Sequence, residues 1–456
     1  MLNETCLALT QDGDPRIEID APCLANSYGC TPFPDSGLLD FGSSTASVIS
    51  PQGYAAAEGL LQQLLASGNG TALPQDLLRE TRRLRREILN LNALQAPEEP
   101  CLILTASGTD ALRRAVEISL HDHPRLPVIL MVDAAESGSK VPDAMSTPRR
   151  LPIVPIMARD PSGALRPRDV VAQEAQEAAV TILAKGHPLL LVVTDVTKTG
   201  LIVPELSLLD TLRALDPGRV SVLVDACQYR MTPLTLRSYL SRNCMVALTG
   251  SKFAGGPAFS GALLVPAAHP KSPLKSAMAE ESLPLGQLLR WEAALEELRR
   301  FHRLPEAHVS GFLQEFASVM RQHLEQHPQL EQLPVFPLDR SSLKDRQEWD
   351  SCQTIFPFLL YASAGKMRQL LTSEQTLSVF HYLQENPGNG KSFSLRGRLG
   401  QPVYCGMRNG RPASALRLCV GARTIMDAYE KGTALVIQNA VALLEHAVHI
   451  ATRFKE

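Results

Sequence analysis

Between residues 100 and 266, short apolar runs alternate with amphipathic stretches. The runs CLILTA (101–106), PVILMVDA (127–134), LLLVVTDV (189–196), VSVLVDA (220–226), MVALTG (245–250) and GALLVP (261–266) are continuously apolar rather than alternating. Unbroken runs of this length, ended by turn residues, predict strands covered on both faces. The segments TDALRRAVEISL (109–120), RDVVAQEAQEAAVTILAKG (168–186) and LSLLDTLRALDPG (206–218) place apolar residues at helical spacing. Strand–helix alternation predicts an α/β fold: a three-layer αβα domain around a mostly parallel sheet. In such sheets the ligand crevice lies beyond the carboxyl ends of the strands.

The Pro- and Arg-rich stretch 141–168 interrupts this pattern and is expected to be a surface excursion. LPLGQLLRWEAALEELRRFHRL (283–304) predicts a long helix, and a second is expected near 306–327. Beyond them, QLPVFPLD, WDSCQTIFPFLLYA and LRLCVGAR read as strand pieces separated by helices. The stretch 425–454 reads as one or two terminal helices. The expected division is an N-terminal segment over 1–45, a large domain over 46–305 and a smaller C-terminal α/β domain over 306–456.

Composition narrows the function classes. The net charge of −2 sets up no global field for a polyanion, so neither nucleic acid nor an anionic membrane is expected as a partner. No apolar stretch is expected to reach the ~18–20 residues of a membrane span. The opening MLNETCLALTQDGDPRIEID lacks a basic stretch followed by an apolar one, which argues against secretion and for a cytoplasmic protein. Nine cysteines (Cys6, Cys23, Cys30, Cys101, Cys227, Cys244, Cys352, Cys405, Cys419) are scattered without a CxxC pair. Reduced thiols are expected rather than a disulfide framework or zinc ribbon. The pairs His121/His123 and His446/His449 lack further ligands nearby, so no metal site is expected.

Three stretches at predicted strand exits carry chemistry. In ILTASGTDALRRA (103–115), Ser107, Gly108 and Thr109 join a strand to a helix start. Free N–H groups and hydroxyls there suit a phosphate, although Ser and Thr are also ordinary helix caps. In VSVLVDACQ (220–228), Asp225 ends an apolar strand, with Gln228 close behind. A carboxylate so placed can keep a ring nitrogen protonated, or can simply cap the strand end. In VALTGSKFAGGPAFSGALLV (246–265), Lys252 stands between Thr249, Ser251 and a glycine pair. Desolvation and a neighbouring cation would leave its amine neutral and able to form a Schiff base with an aldehyde. A lysine snorkelling out of a loop is the simpler alternative.

Taken together, in this order, the three stretches resemble the fold-type I pyridoxal 5′-phosphate enzymes, and most closely the class V aminotransferase and cysteine desulfurase superfamily. The resemblance rests on Asp-Ala-x-Gln at a strand end and, 27 residues after Asp225, a lysine in Thr-Gly-Ser-Lys followed by Gly-Gly-Pro. It covers roughly residues 38–300 and, more loosely, the C-terminal domain. It implies pyridoxal 5′-phosphate as cofactor, anchored on Lys252, with Asp225 at the ring nitrogen and Gln228 by the phenolic oxygen. It implies a phosphate site formed by Ser107, Gly108, Thr109, Thr249 and Ser251, with Thr197 beside the cofactor. Ser43 and Ser44, in LLDFGSSTASVISPQGY (38–54), would line the substrate pocket. Arg417, in SALRLCVGAR (414–423), would bind a substrate α-carboxylate, with Arg423 as competitor. The implied unit is a homodimer acting on an α-amino acid, with transamination as the leading chemistry. Cysteine desulfurase or other C–S/β-elimination lyase chemistry is the alternative, and a catalytically silent scaffold the second.

The chain also departs from the family. Ser251 stands where a histidine is common, and Glu136 or Ser137 falls where a ring usually stacks on the cofactor. Cys405, in GQPVYCGMRNG, lies in roughly the region of a desulfurase nucleophile but outside that type of motif, so a structural cysteine is the expectation. The small, polar pocket residues Ser43, Ser44, Glu136 and Ser137 point to a small or polar substrate side chain.

Overall fold

The computed structural model describes residues 2–20, 24–95, 99–147, 149–269, 278, 280–364, 367–385, 395–408 and 410–454. Cys23 therefore lies outside the described residues. In chain order the strands are β1 (Leu38–Phe41), β2 (Cys101–Thr105), β3 (Val128–Val132), β4 (Ile153–Ile156), β5 (Leu189–Asp195), β6 (Ile202–Val203) and β7 (Val220–Ala226). They continue with β8 (Met245–Thr249), β9 (Gly261–Val265), β10 (Leu330–Gln332), β11 (Ile355–Ala364), β12 (Met367–Leu370), β13 (Arg396–Arg408) and β14 (Arg411–Cys419).

The six apolar runs, joined by β4 and β6, form an eight-stranded sheet in the order β2-β9-β8-β7-β5-β3-β4, with the short β6 on β5. Strands β8, β7, β5, β3 and β4 are mutually parallel, and β9 runs antiparallel to both of its neighbours. The runs are continuous because both faces are covered. From β5, Leu189, Leu191 and Val193 enter one apolar layer and Leu190 and Val192 the other. Side chains of helices Pro74–Leu91, Arg168–Ala184 and Leu285–Phe301 fill the first layer, and those of helix Gly108–Asp122 the second. The result is the expected α/β arrangement.

Residues 141–168 are not a mere excursion. They contain a short helix, Val141–Ser146, and β4, which pairs in parallel with β3 at the sheet edge. Pro155 disguises this strand, because a residue without an N–H is tolerated only where no further strand must pair.

The second sheet runs β1-β13-β14-β11-β10, with β12 on β11. The N-terminal strand β1 joins it in parallel with β13, pairing Leu38 with Arg396 and Phe41 with Leu399. The stretch around Cys405, which the apolar pattern does not mark as a strand, is the body of β13. Register shifts between Gly400/Val403 and Tyr404/Met407 break the alternation that would have revealed it. In QLPVFPLD the strand stops at Gln332. The following residues carry Arg340 to a buried ion pair with Asp195 at the end of β5.

Helices Glu306–Gln326, Ala422–Lys431 and Thr433–Ala451 close this domain over Phe312, Phe316, Phe356, Phe358 and Leu416. The terminal pair divides at Gly432, whose φ of +100° is one that side chains rarely adopt. One sequence expectation needs correcting here. Thr433–Phe454, 22 residues, contains an 18-residue window of mean hydropathy 1.4 and is long and apolar enough to cross a membrane. Half of that window is buried inside the protein, as in the core helix of a folded domain.

Candidate active site

A cavity of about 740 Å³ opens where the carboxyl ends of β3, β5, β7 and β8 meet β13 and β14 of the second sheet. Its volume falls in the range of small-molecule and cofactor sites. Ser44, Ser107, Gly108, Thr109, Thr197, Asp225, Gln228, Thr249, Ser251, Lys252 and Arg417 all line it, although they come from segments far apart in the chain. Ser43 does not. Its hydroxyl lies behind the wall and accepts a hydrogen bond from Arg230 Nη2 at 2.9 Å.

Lys252 follows β8 directly. Burial lowers its pKa below the ordinary lysine value; Cys227 and Asp225 oppose the shift, and Arg417 and Arg230 add to it. Among the described residues its Nζ makes no hydrogen bond, and the side chain lines the cavity. Asp225 is buried at the end of β7, in register with Thr194 of β5 and Ala247 of β8. Its Oδ1 accepts from the Cys227 N–H at 3.2 Å. Gln228 Nε2 donates to the Ser44 carbonyl at 3.1 Å, which ties the N-terminal segment to the large sheet.

The helix start divides its labour. Ser107 is the N-cap: its Oγ accepts from the Asp110 N–H at 3.2 Å and donates to Asp110 Oδ2 at 2.7 Å. Its hydroxyl is therefore committed within the helix. Gly108 is required by space, since a Cβ there would come 2.6 Å from Cys227 Sγ and 2.7 Å from Thr249 Cγ2. The first-turn N–H groups of Gly108 and Thr109 have no acceptor in their own helix. Thr249 Oγ1 donates to the Cys227 carbonyl at 2.7 Å, leaving its lone pairs available.

Glu136 and Ser137 also line the cavity, with neither a histidine nor an aromatic ring at those positions. The Glu136 carboxylate is fully occupied: Arg159 Nε donates to Oε1 at 2.7 Å, Thr197 Oγ1 to Oε2 at 2.6 Å, and Thr199 Oγ1 to Oε2 at 2.8 Å. Thr197 thus spends its hydroxyl proton on a buried ion pair. Among the described residues, the hydroxyls of Ser137 and Thr194 are buried at the cavity without a partner, an arrangement that a bound polar ligand would complete.

Arg417 reaches the cavity from β14. Nη2 donates to Thr45 Oγ1 at 2.9 Å and to the Gln401 carbonyl at 2.7 Å, and Nη1 to the Lys198 carbonyl at 3.4 Å. Burial lowers its pKa, and among the described residues it pairs with no carboxylate. Nε also donates to the Gln401 carbonyl at 3.1 Å, so neutral oxygens orient a guanidinium whose charge has no carboxylate partner among the described residues. Arg423 points elsewhere, to the Val48 carbonyl, and does not line the cavity.

Cys405 is buried between the sheet and its neighbours, with Sγ donating to the Ala413 carbonyl at 3.4 Å. Burial pushes its thiol up to about 11, and it does not line the cavity. A nucleophilic thiolate is disfavoured there. Cys227 does line the cavity, but burial raises its thiol well above the ordinary value.

Sequence reasoning missed Arg16, Tyr28, Thr45, Lys198 and Gln401–Tyr404, all of which line the cavity. Lys198 neighbours Thr197, and Thr45 follows Ser44, so both were one residue from a position singled out. Arg16 and Tyr28 left no signal of their own. They are placed by the Arg16–Asp14 pair at 2.7 Å and the Arg16–Tyr28 hydrogen bond at 2.7 Å.

No model of a protein family matches the sequence, and no curated protein does. Solved structures match the fold. The cysteine desulfurase CsdA from Escherichia coli is 14% identical with a TM-score of 0.54, over 90% of this chain and 94% of that one. A Sphingomonas wittichii serine palmitoyltransferase is 13% identical with a TM-score of 0.55, over 90% and 88%. A variant of C-DES with glycine covalently linked to its PLP cofactor is 14% identical with a TM-score of 0.58, over 89% and 97%. The chain shares the α/β fold of these transferases and lyases.

Proposed function

We propose that the chain is a pyridoxal 5′-phosphate-dependent enzyme acting on an α-amino acid, most simply by transamination. The observation that carries this reading is the placing of Lys252, Asp225, the Gly108–Asp122 helix start and Arg417 around one cavity. The residues present fit the cofactor. Lys252 Nζ is an unpaired amine of lowered pKa, Asp225 is an acid at a strand end, and Ser137 and Thr194 are buried hydroxyls awaiting partners. Gly108, Thr109, Thr249 and Ser251 would hold the phosphate, and Asp225 the ring nitrogen.

When bound, the cofactor supplies an electron-withdrawing ring that stabilises negative charge at the substrate α-carbon. The protein's own contributions follow from the geometry. Arg417, pinned by Thr45 and Gln401, holds the substrate carboxylate in one orientation. Lys252 Nζ, whose pKa burial lowers, takes the α-proton and returns one. The family resemblance also supports a homodimer completing the site, a state that sedimentation at assay concentration would test.

The test is an absorption spectrum of protein purified with pyridoxal phosphate, followed by amino-acid screening. Keto-acid formation without sulfide supports transamination; sulfide release moves the reading to C–S lysis. No cofactor absorbance in either case would defeat it. Because Cys405 lies outside the cavity, Cys405→Ser is expected to leave turnover within about twofold. A hundredfold loss in keto-acid or sulfide release would place that thiol in the reaction.

A further inference from the structure

The cations around the cavity are Arg16, Lys140, Lys198, Lys252 and Arg417. Arg16 is bound by Asp14, with contacts at 2.7 and 2.9 Å, and by the Tyr28 hydroxyl. Lys252 and Arg417 already have roles in the proposed reaction. Lys140 is exposed. Lys198 remains. It is half-buried, and its Nζ donates to a neutral oxygen, the Ala134 carbonyl, at 3.0 Å.

The carboxylates facing Lys198 do not pair with it among the described residues. Glu136 is committed to Arg159, Thr197 and Thr199. Asp133 accepts from the Ala135 N–H at 2.8 Å and makes no ion pair with Lys198 among the described residues. The Lys198 carbonyl accepts from Arg417 Nη1, which sets the two cationic residues side by side on one wall. Two adjacent cations without carboxylate partners are costly to enclose unless an anion joins them.

We infer that Lys198 binds a second acid group, on the side chain of the substrate, so that the cavity selects an anionic amino acid. This rests on the proposed reading of the cavity as an amino-acid site. It sharpens the sequence expectation of a small or polar side chain into a charged one. Lys198 is here a specificity-determining residue that touches the substrate away from the reacting atoms.

Its titration supplies a second readout. Burial, assisted by Arg417 and Lys252 and opposed by Glu136 and Asp133, lowers the Lys198 ammonium to about 8. Preference for acidic over neutral amino acids should therefore be high at pH 7 and fall as pH rises through about 8. The ratio of two affinities cancels titrations common to both ligands, including those of Lys252 and the substrate amine.

The experiment measures dissociation constants of L-aspartate, L-glutamate and L-alanine by calorimetry on the cofactor-loaded protein and its variants. Wild type is expected to favour an acidic amino acid over alanine. Lys198→Met is expected to cut that ratio about tenfold or more and to flatten its pH dependence, and Lys198→Arg to restore most of the ratio. An unchanged ratio in Lys198→Met, or a loss seen in Lys140→Met instead, overturns the assignment while leaving the amino-acid reading intact. Failure of all three amino acids to bind the loaded wild type overturns both.

Discussion

Replacing Lys252 with alanine is expected to eliminate borohydride-fixed cofactor and to slow turnover by about 1,000-fold or more. The magnitude follows because, on the proposed reading, one amine both anchors the cofactor and moves the α-proton, and losing a positioned acid–base group alone costs about 10²–10⁴-fold. The variant should still fold, since Lys252 Nζ makes no hydrogen bond among the described residues and removing a poorly solvated amine relieves a desolvation cost. Cofactor should still bind noncovalently through the Gly108–Asp122 helix start, with a shifted absorbance. The check is reduction with borohydride followed by peptide mapping. A fixed adduct on Lys198, the other pocket lysine of lowered pKa, would move the anchor to that residue.

The second large effect concerns Arg417. Arg417→Gln removes the cation but keeps a hydrogen-bonding side chain near Thr45 and Gln401. Charged hydrogen bonds are worth about 1.5–3 kcal/mol each, so KM for the amino acid should rise about tenfold to a hundredfold. Reducible cofactor on Lys252 should be unaffected, which separates substrate binding from cofactor binding. Arg423→Gln, outside the cavity, should leave KM within about twofold. The reverse pattern would transfer the carboxylate role to Arg423.

The large sheet was legible because its strands are buried on both faces, so each reads as an unbroken apolar run bounded by turn residues. Lys252, Asp225 and the Gly108 turn were legible for a related reason: a polar residue at the end of such a run stands out against it. What escaped was set by tertiary context. β4 was hidden by Pro155, harmless only because the strand lies at an edge. β13 was hidden by its bulges, which break the two-residue period on which strand reading depends. The roles of Thr45 and Lys198 depend on what Arg417 touches from the other sheet, and no local pattern encodes that.

The pairing of β1 with β13 also has a consequence in time. The Asp40–Arg398 ion pair that accompanies it joins residues 358 positions apart. On a ribosome moving at ~5–20 residues per second, β1 would wait roughly 20–70 s for its partner strand. Thr45, a few residues beyond β1, and Arg417, on the neighbouring β14, must also await that closure. The eight-stranded sheet, complete by residue 265, can assemble while the carboxylate pocket still lacks its wall. On the proposed reading, a nascent chain released early would thus carry Lys252 and the phosphate turn but no means of holding an amino acid. Such a species could take up cofactor without turning over substrate, and its unpaired N-terminal strand would be open to chaperones or to mispairing.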